Sequence, residues 1–258
     1  MSEPLVTTGL FVVGAVLGSF ATALAHRMPR GENWVSERSR CPSCGEVIGA
    51  RDNIPVASWL ILRGRCRNCG ESISPRYILA ELALGVLFAA TYLILGDDEG
   101  GELILGLVLC FVLVTITLTD LDLRIIPNKI VLAGSVAAVA IAAITMPETL
   151  DTRFISAAIA GGIMFLVALA YPRGMGMGDA KLVGMMGLFI GRAIALATLI
   201  GFLVGAVVGM AMIARHGAAA RKSKIPFGPF LALGGVIGLW FGDDIVQWYL
   251  DEFFPDES

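Results

Sequence analysis

Charge is what this chain has least of: only 16% of its 258 residues are Asp, Glu, Lys or Arg, against roughly 25% in an ordinary soluble domain, and 56% are hydrophobic. That excludes a soluble globular enzyme and points to a membrane protein. The formal net charge of -3 is too small to signal a polyanionic partner, and no nucleic-acid partner is expected. Cysteine is also sparse. Four of the five cysteines form two close pairs, Cys41/Cys44 and Cys66/Cys69, and Cys110 stands alone in an apolar run, so a secreted disulfide framework is excluded. The first apolar run, Leu5 to Ala25, has no basic residue before it and therefore lacks the n-region of a signal peptide; it is expected to remain as a membrane span. No strand pattern leads into a GxGxxG loop, which excludes a dinucleotide-type cradle. Solenoid repeats and low-complexity tracts are absent.

What is present is a series of apolar runs. After the first they lie at Tyr77 to Leu95, Leu103 to Thr119, Ile130 to Met146, Phe154 to Tyr171, Leu182 to Ala214 and Ile225 to Gly242. Most approach the ~20 residues a spanning helix needs. The run from Leu182 is too long for one span, since as a single helix it would extend about 50 Å against a hydrocarbon core of about 30 Å. Arg192 interrupts it just after Gly191, so two spans are expected there, the first short and starting near Asp179. The chain is thus predicted to be an all-α integral membrane protein of about eight transmembrane helices.

With the N-terminus outside, residues 26–76, 120–129, 172–181 and 215–224 fall in the cytosol and hold 17 of the 19 basic residues, leaving only Arg153 and Arg192 outside. The positive-inside rule predicts this asymmetry. Acidic segments at Asp97 to Glu102, Glu148 to Asp151 and Asp243 to Glu257 fall outside with the C-terminus. Ile245 to Phe254 carries Trp248, Tyr249, Phe253 and Phe254 beside acidic residues, as an interfacial helix would.

The one sizeable soluble segment, His26 to Arg76, contains CPSC and CRNC with 21 residues between Cys44 and Cys66. Two CxxC knuckles at this separation suit a tetrahedral zinc held by Cys41, Cys44, Cys66 and Cys69, because each short turn aims two soft thiolates at one point. The site is expected to be structural, since four thiolates leave no open position for water and so small a loop needs metal to fold. A thiol pair or disulfide is the alternative. His26, beside Arg27, reads as an interfacial residue.

Asp120, Asp122 and Asp179 are the only carboxylates in the three short cytosolic segments. Asp179 follows Gly174, Gly176 and Gly178, which allow the backbone to leave helical geometry and approach another chain. Two carboxylates brought together can share a proton, one acting as base on water while the other donates to a carbonyl. On spacing alone these residues could equally cap helices. Asp122 lies about 200° around a helix from Asp120, so only one of the two can face Asp179. Lys181 could modulate Asp179, and Glu81, about a turn into the second span, could snorkel or make a polar contact in the site.

GSF at 18–20, HRMP at 26–29, CPSC, NIPVASWLILRGRCRNC, SPRYILAEL, DLDLRIIPN, GMGDAKL at 176–182 and PFGPFLALGG at 226–235 together resemble the bacterial type IV prepilin peptidases of the GxGD aspartic class. The resemblance implies catalytic Asp120 and Asp179, with Gly176, Gly178 and Lys181 in support. It implies a pilin or pseudopilin precursor, its apolar helix in the inner membrane, cut after a short basic leader at the cytosolic face. Members with the cysteine loop often also methylate the new N-terminus with S-adenosylmethionine. Thr22 and Asn128 depart from the asparagine and aspartate common in the family.

The expected organisation is a first span at 1–25, a cytosolic tetra-cysteine zinc loop at 26–76 within a methyltransferase-associated region reaching about 95, a peptidase core at 77–244 and an interfacial tail at 245–258. The competing functions are a carboxylate-dependent transporter and a zinc-loop scaffold of a secretion assembly.

Overall fold

The computed structural model describes residues 3–33, 38–96, 100–172, 174–216 and 225–253. The basic cluster Arg221, Lys222 and Lys224, together with Arg173, Asp97 and Phe254, lies outside them. Among the described residues there is no β-strand, only two isolated antiparallel bridges, and the chain divides into the compact units Met1–Gly96 and Asp97–Ser258.

The first unit pairs helix α1 (Glu3–Arg27) with α3 (Arg76–Leu95). Gly14 faces Leu84 and Gly85, while Gly18 faces Ala80 and Glu81, so the helices run antiparallel. A Cβ on Gly18 would come within 2.7 Å of the Ala80 carbonyl oxygen, which makes small residues a condition of this packing. The loop between them contains a short helix α2 (Ala57–Ile61). Just before α2, Val56 has φ 62° and ψ -54°, a costly conformation for a β-branched residue. Ala57 N–H donates to Pro55 O across this turn at 2.6 Å, and Val56 N–H donates to Oε2 of the buried Glu81 at 2.7 Å.

The second unit is a bundle of α4 (Gly100–Leu123), α5 (Asn128–Thr145), α6 (Leu150–Ala170), α7 (Met177–Ile190), α8 (Ile194–His216) and α9 (Gly228–Phe253). Helix α4 is its axis, with Leu105, Leu109, Leu113 and Ile116 essentially inaccessible and α5, α7 and α9 packed against it. Antiparallel pairs α6/α7 and α8/α9 meet through glycines. Gly187 lies against the Ala157 backbone, and Gly234 against the Ala197 carbonyl.

The long apolar run breaks where a split into two spans is expected. Gly191 takes φ 51°, a 3-10 turn covers Gly191–Ala193, and α7 is left with 14 residues, about 21 Å. Among the described residues, seven segments are long and apolar enough to cross a membrane, one of them, Met177–Arg215, being the α7–α8 pair. Counting that pair as two gives the expected eight. Large apolar side chains such as Leu132, Ile144 and Leu166 stand well exposed, a surface suited to lipid and not to water. The stretch Ile245–Phe253 continues α9 without a break and keeps Trp248, Tyr249 and Phe253 exposed.

Candidate active site and metal centre

Asp120 lies in the last turn of α4 and is buried. Its Oδ2 accepts the backbone N–H of Gly228, the first residue of α9, at 2.8 Å. The contact requires a residue without a side chain, because a Cβ on Gly228 would stand 2.8 Å from the same oxygen. It also places the carboxylate at a helix N-terminus, where unpaired amides carry partial positive charge.

Asp179 is the third residue of α7 and is buried at its edge. Its Oδ2 accepts the N–H of Gly176 at 3.0 Å, and its own N–H donates to Gly176 O at 3.1 Å, closing a turn that fixes the side chain on its helix start. Gly178 allows close approach, since a Cβ there would lie 3.1 Å from Ile126 Cβ in the segment that follows α4. The start of α7 therefore abuts the segment that follows α4, which brings the helix ends carrying Asp120 and Asp179 to one side of the bundle. Each carboxylate spends Oδ2 on a glycine amide. No described donor reaches either Oδ1.

Asp122 is exposed, on the other side of α4 from the buried Asp120. Lys181 is also exposed, and its Nζ donates to Asn128 Oδ1 at 3.0 Å, so it ties α7 to the start of α5. The residue that sequence reasoning missed is Gly228. Its only local signal is a glycine between Pro226, Phe227 and Pro229 at the start of an apolar run, and its partner lies 108 residues away.

In the first unit the sulfurs of Cys41, Cys44, Cys66 and Cys69 lie within 4.8 Å of one another. Both knuckles are built alike. Cys41 N–H donates to Glu46 O at 2.9 Å and Cys66 N–H to Glu71 O at 2.8 Å, with Gly45 and Gly70 both at φ 73° to close the turns. The Cys41 and Cys69 sulfurs are 3.7 Å apart, too far for a disulfide at about 2.05 Å and close to the ~3.8 Å edge of a zinc tetrahedron with 2.3 Å bonds. Hydrogen bonding from the Cys44 backbone, then Ser43, pulls the Cys41 thiol down to about 7. The donor set fits a zinc ion. A bidentate Arg67–Asp52 pair, closest at 2.6 Å, braces the second knuckle against the 3-10 turn Ala50–Asp52.

Comparison with known proteins accounts for both units. Residues 12–95 match the bacterial peptidase A24 N-terminal domain, and residues 107–210 match the type IV leader peptidase family. The chain is 33% identical to a prepilin leader peptidase/N-methyltransferase of Aeromonas hydrophila, covering 95% of this chain and 93% of that one. It is 32% identical to the protein of that name from Bacillus subtilis (strain 168), over 93% of this chain and 96% of that one. A Myxococcus xanthus (strain DK1622) protein of the same name is 37% identical over 86% of this chain and 67% of its own length. No solved structure matches. Identity at this level over nearly the whole length, together with the match to the peptidase model, shows that the chain belongs to the type IV leader peptidase family.

Proposed function

We propose that this protein cleaves the leader from type IV prepilin-like precursors with Asp120 and Asp179, and then N-methylates the new N-terminus. The observation that carries the reading is the pair of carboxylates at adjoining helix ends, each with one oxygen held by a glycine amide. Such a pair holds a single proton between its members. The ionised partner takes a proton from water through Oδ1 while the protonated one donates to the scissile carbonyl. The water oxygen bonds to the carbonyl carbon; the proton taken from water then passes to the leaving amine as the C–N bond breaks, and the former carbonyl oxygen returns its proton to the carboxylate that gave it, restoring the pair. Fixed amides at each Oδ2 hold the carboxylates at this work with little reorganisation.

The substrate fits the setting. A pilin or pseudopilin precursor has an apolar helix that would stay in the bilayer while its basic leader lies on the side holding most of the chain's basic loops, the cytosol by the positive-inside rule. On this reading the active site lies at the cytosolic face of the inner membrane and both termini lie outside. Cys41, Cys44, Cys66 and Cys69 would hold a structural zinc that supplies folding energy to the loop. S-adenosylmethionine is the methyl donor that kinship with peptidase/N-methyltransferases implies. The transporter and scaffold readings have no comparable support.

The test is co-expression with a candidate prepilin in a host lacking other leader peptidases, comparing wild type, Asp120→Asn and Asp179→Asn by precursor size and by the mass of the mature N-terminus. Loss of cleavage in both variants is expected. Undiminished processing by either one overturns the pair, and an unmethylated product from wild type with ample methyl donor removes the second activity.

A further inference from the structure

Arg153 is the only lysine or arginine buried among the described residues, and the peptidase chemistry does not use it. It sits in the first turn of α6. Its Nε donates to Thr149 Oγ1 at 2.9 Å, its Nη1 to the carbonyl of Phe189, and its Nη2 to Glu102 Oε1. Glu102 belongs to the first turn of α4, and Phe189 to the last turn of α7. One planar guanidinium therefore joins the start of the helix carrying Asp120 to the end of the helix carrying Asp179.

Each contact has a physical reason to be firm. The last carbonyls of a helix have no partner within it, and in a lipid-facing bundle an unpaired carbonyl is costly. Helix α7 ends early, at the Gly191 break, and Arg153 satisfies one of its terminal carbonyls. A single charge-assisted hydrogen bond from Nη2 to Glu102 Oε1 holds the guanidinium in register. Asp120 lies 18 residues along α4 from Glu102, about 27 Å, and Asp179 lies 10 residues back along α7 from Phe189, about 15 Å. Helices are stiff over such lengths, so an axial slip at the clamped end reappears at the carboxylates.

We propose that Arg153 is a positioning residue for leader cleavage, locking the axial register of α4 against α7 and so setting the spacing of Asp120 and Asp179 from the far end of both helices. This rests on the reading of Asp120 and Asp179 as the catalytic pair. A displacement near 1 Å at reacting groups costs on the order of 100-fold in rate, so even a small slip should be visible.

The experiment uses the full chain reconstituted in lipid nanodiscs, with Arg153→Gln and the double variant Arg153→Met with Glu102→Leu. The double variant removes the clamp without leaving a buried charge unpaired, a replacement that commonly preserves stability. For both, kcat for leader cleavage should fall by at least about tenfold with KM within about twofold, the signature of a lost transition-state geometry. Methylation of an already cleaved pilin by both variants should stay at wild-type level, and the melting temperature of the double variant, which leaves the Phe189 carbonyl without its donor, should drop only modestly while the loss in kcat persists well below the melting transition.

Should Arg153→Gln fail to fold, the double variant carries the test. Wild-type kcat in either folded variant overturns the clamp, and so does recovery of cleavage in the double variant in step with its stability. Asp120→Asn assayed alongside separates the two claims. If it cleaves, the catalytic pair fails; if it is dead while Arg153→Gln is fully active, only the clamp fails.

Discussion

Asp120 Oδ2 and the backbone nitrogen of Gly228 lie 2.8 Å apart, which makes the first residue of α9 part of the setting of a carboxylate on α4. The same oxygen would lie 2.8 Å from any Cβ at position 228. Gly228→Ala is therefore expected to push Asp120 off its amide and to lower leader cleavage by about 10- to 100-fold, in keeping with small displacements at reacting groups. Cleavage rates and thermal unfolding of the purified variant check this, the melting temperature moving far less than the rate.

Burial separates the two neighbouring aspartates of α4. Asp120→Asn should lower kcat by at least about 100-fold, the usual scale for removing an acid–base group, while the exposed Asp122→Asn should stay within about twofold. A comparable loss in both would show that the buried position is not what matters.

Metal analysis should find one zinc per chain, lost in Cys66→Ser. Because the loop is too small to hold a core of its own, removing the ion with a strong chelator should expose 38–75 to limited proteolysis, while helices α4 to α9 keep their protection. A metal-free protein whose loop resists protease equally well would reject the site.

Glu81 holds Val56 N–H at 2.7 Å and so stabilises a backbone conformation that costs of order 1–3 kcal/mol. Glu81→Ala should relax that turn and make residues 50–62 an early site of proteolytic cutting. Hydrogen exchange at the Val56 amide gives a second readout, expected to accelerate well over tenfold once its acceptor is removed, since about 1.4 kcal/mol of lost protection is already tenfold.

Much of this was written locally in the chain. Hydropathy marks the membrane helices because each span must be apolar over its own length and must satisfy its own backbone. It marks the α7–α8 break because 33 residues overrun the bilayer and Gly191 permits the turn. The paired knuckles are equally legible, since CxxC followed by glycine is a turn complete within six residues. Helical spacing limits Asp120 and Asp122 to one inward position without saying which; the fold buries Asp120 and leaves Asp122 exposed.

What tertiary structure alone decided are relationships between residues far apart in sequence. The amide that receives Asp120 comes from 108 positions away, and Arg153, which the charge count can only record as a stray cation outside, reaches Glu102 over 51 positions. Composition and periodicity carry no information on such pairs, because they report what one segment needs from its solvent and not which other segment supplies it. Only packing brings the end of α4 beside the starts of α7 and α9, where a glycine amide, fixed by a helix it begins, meets a carboxylate that another helix ends on.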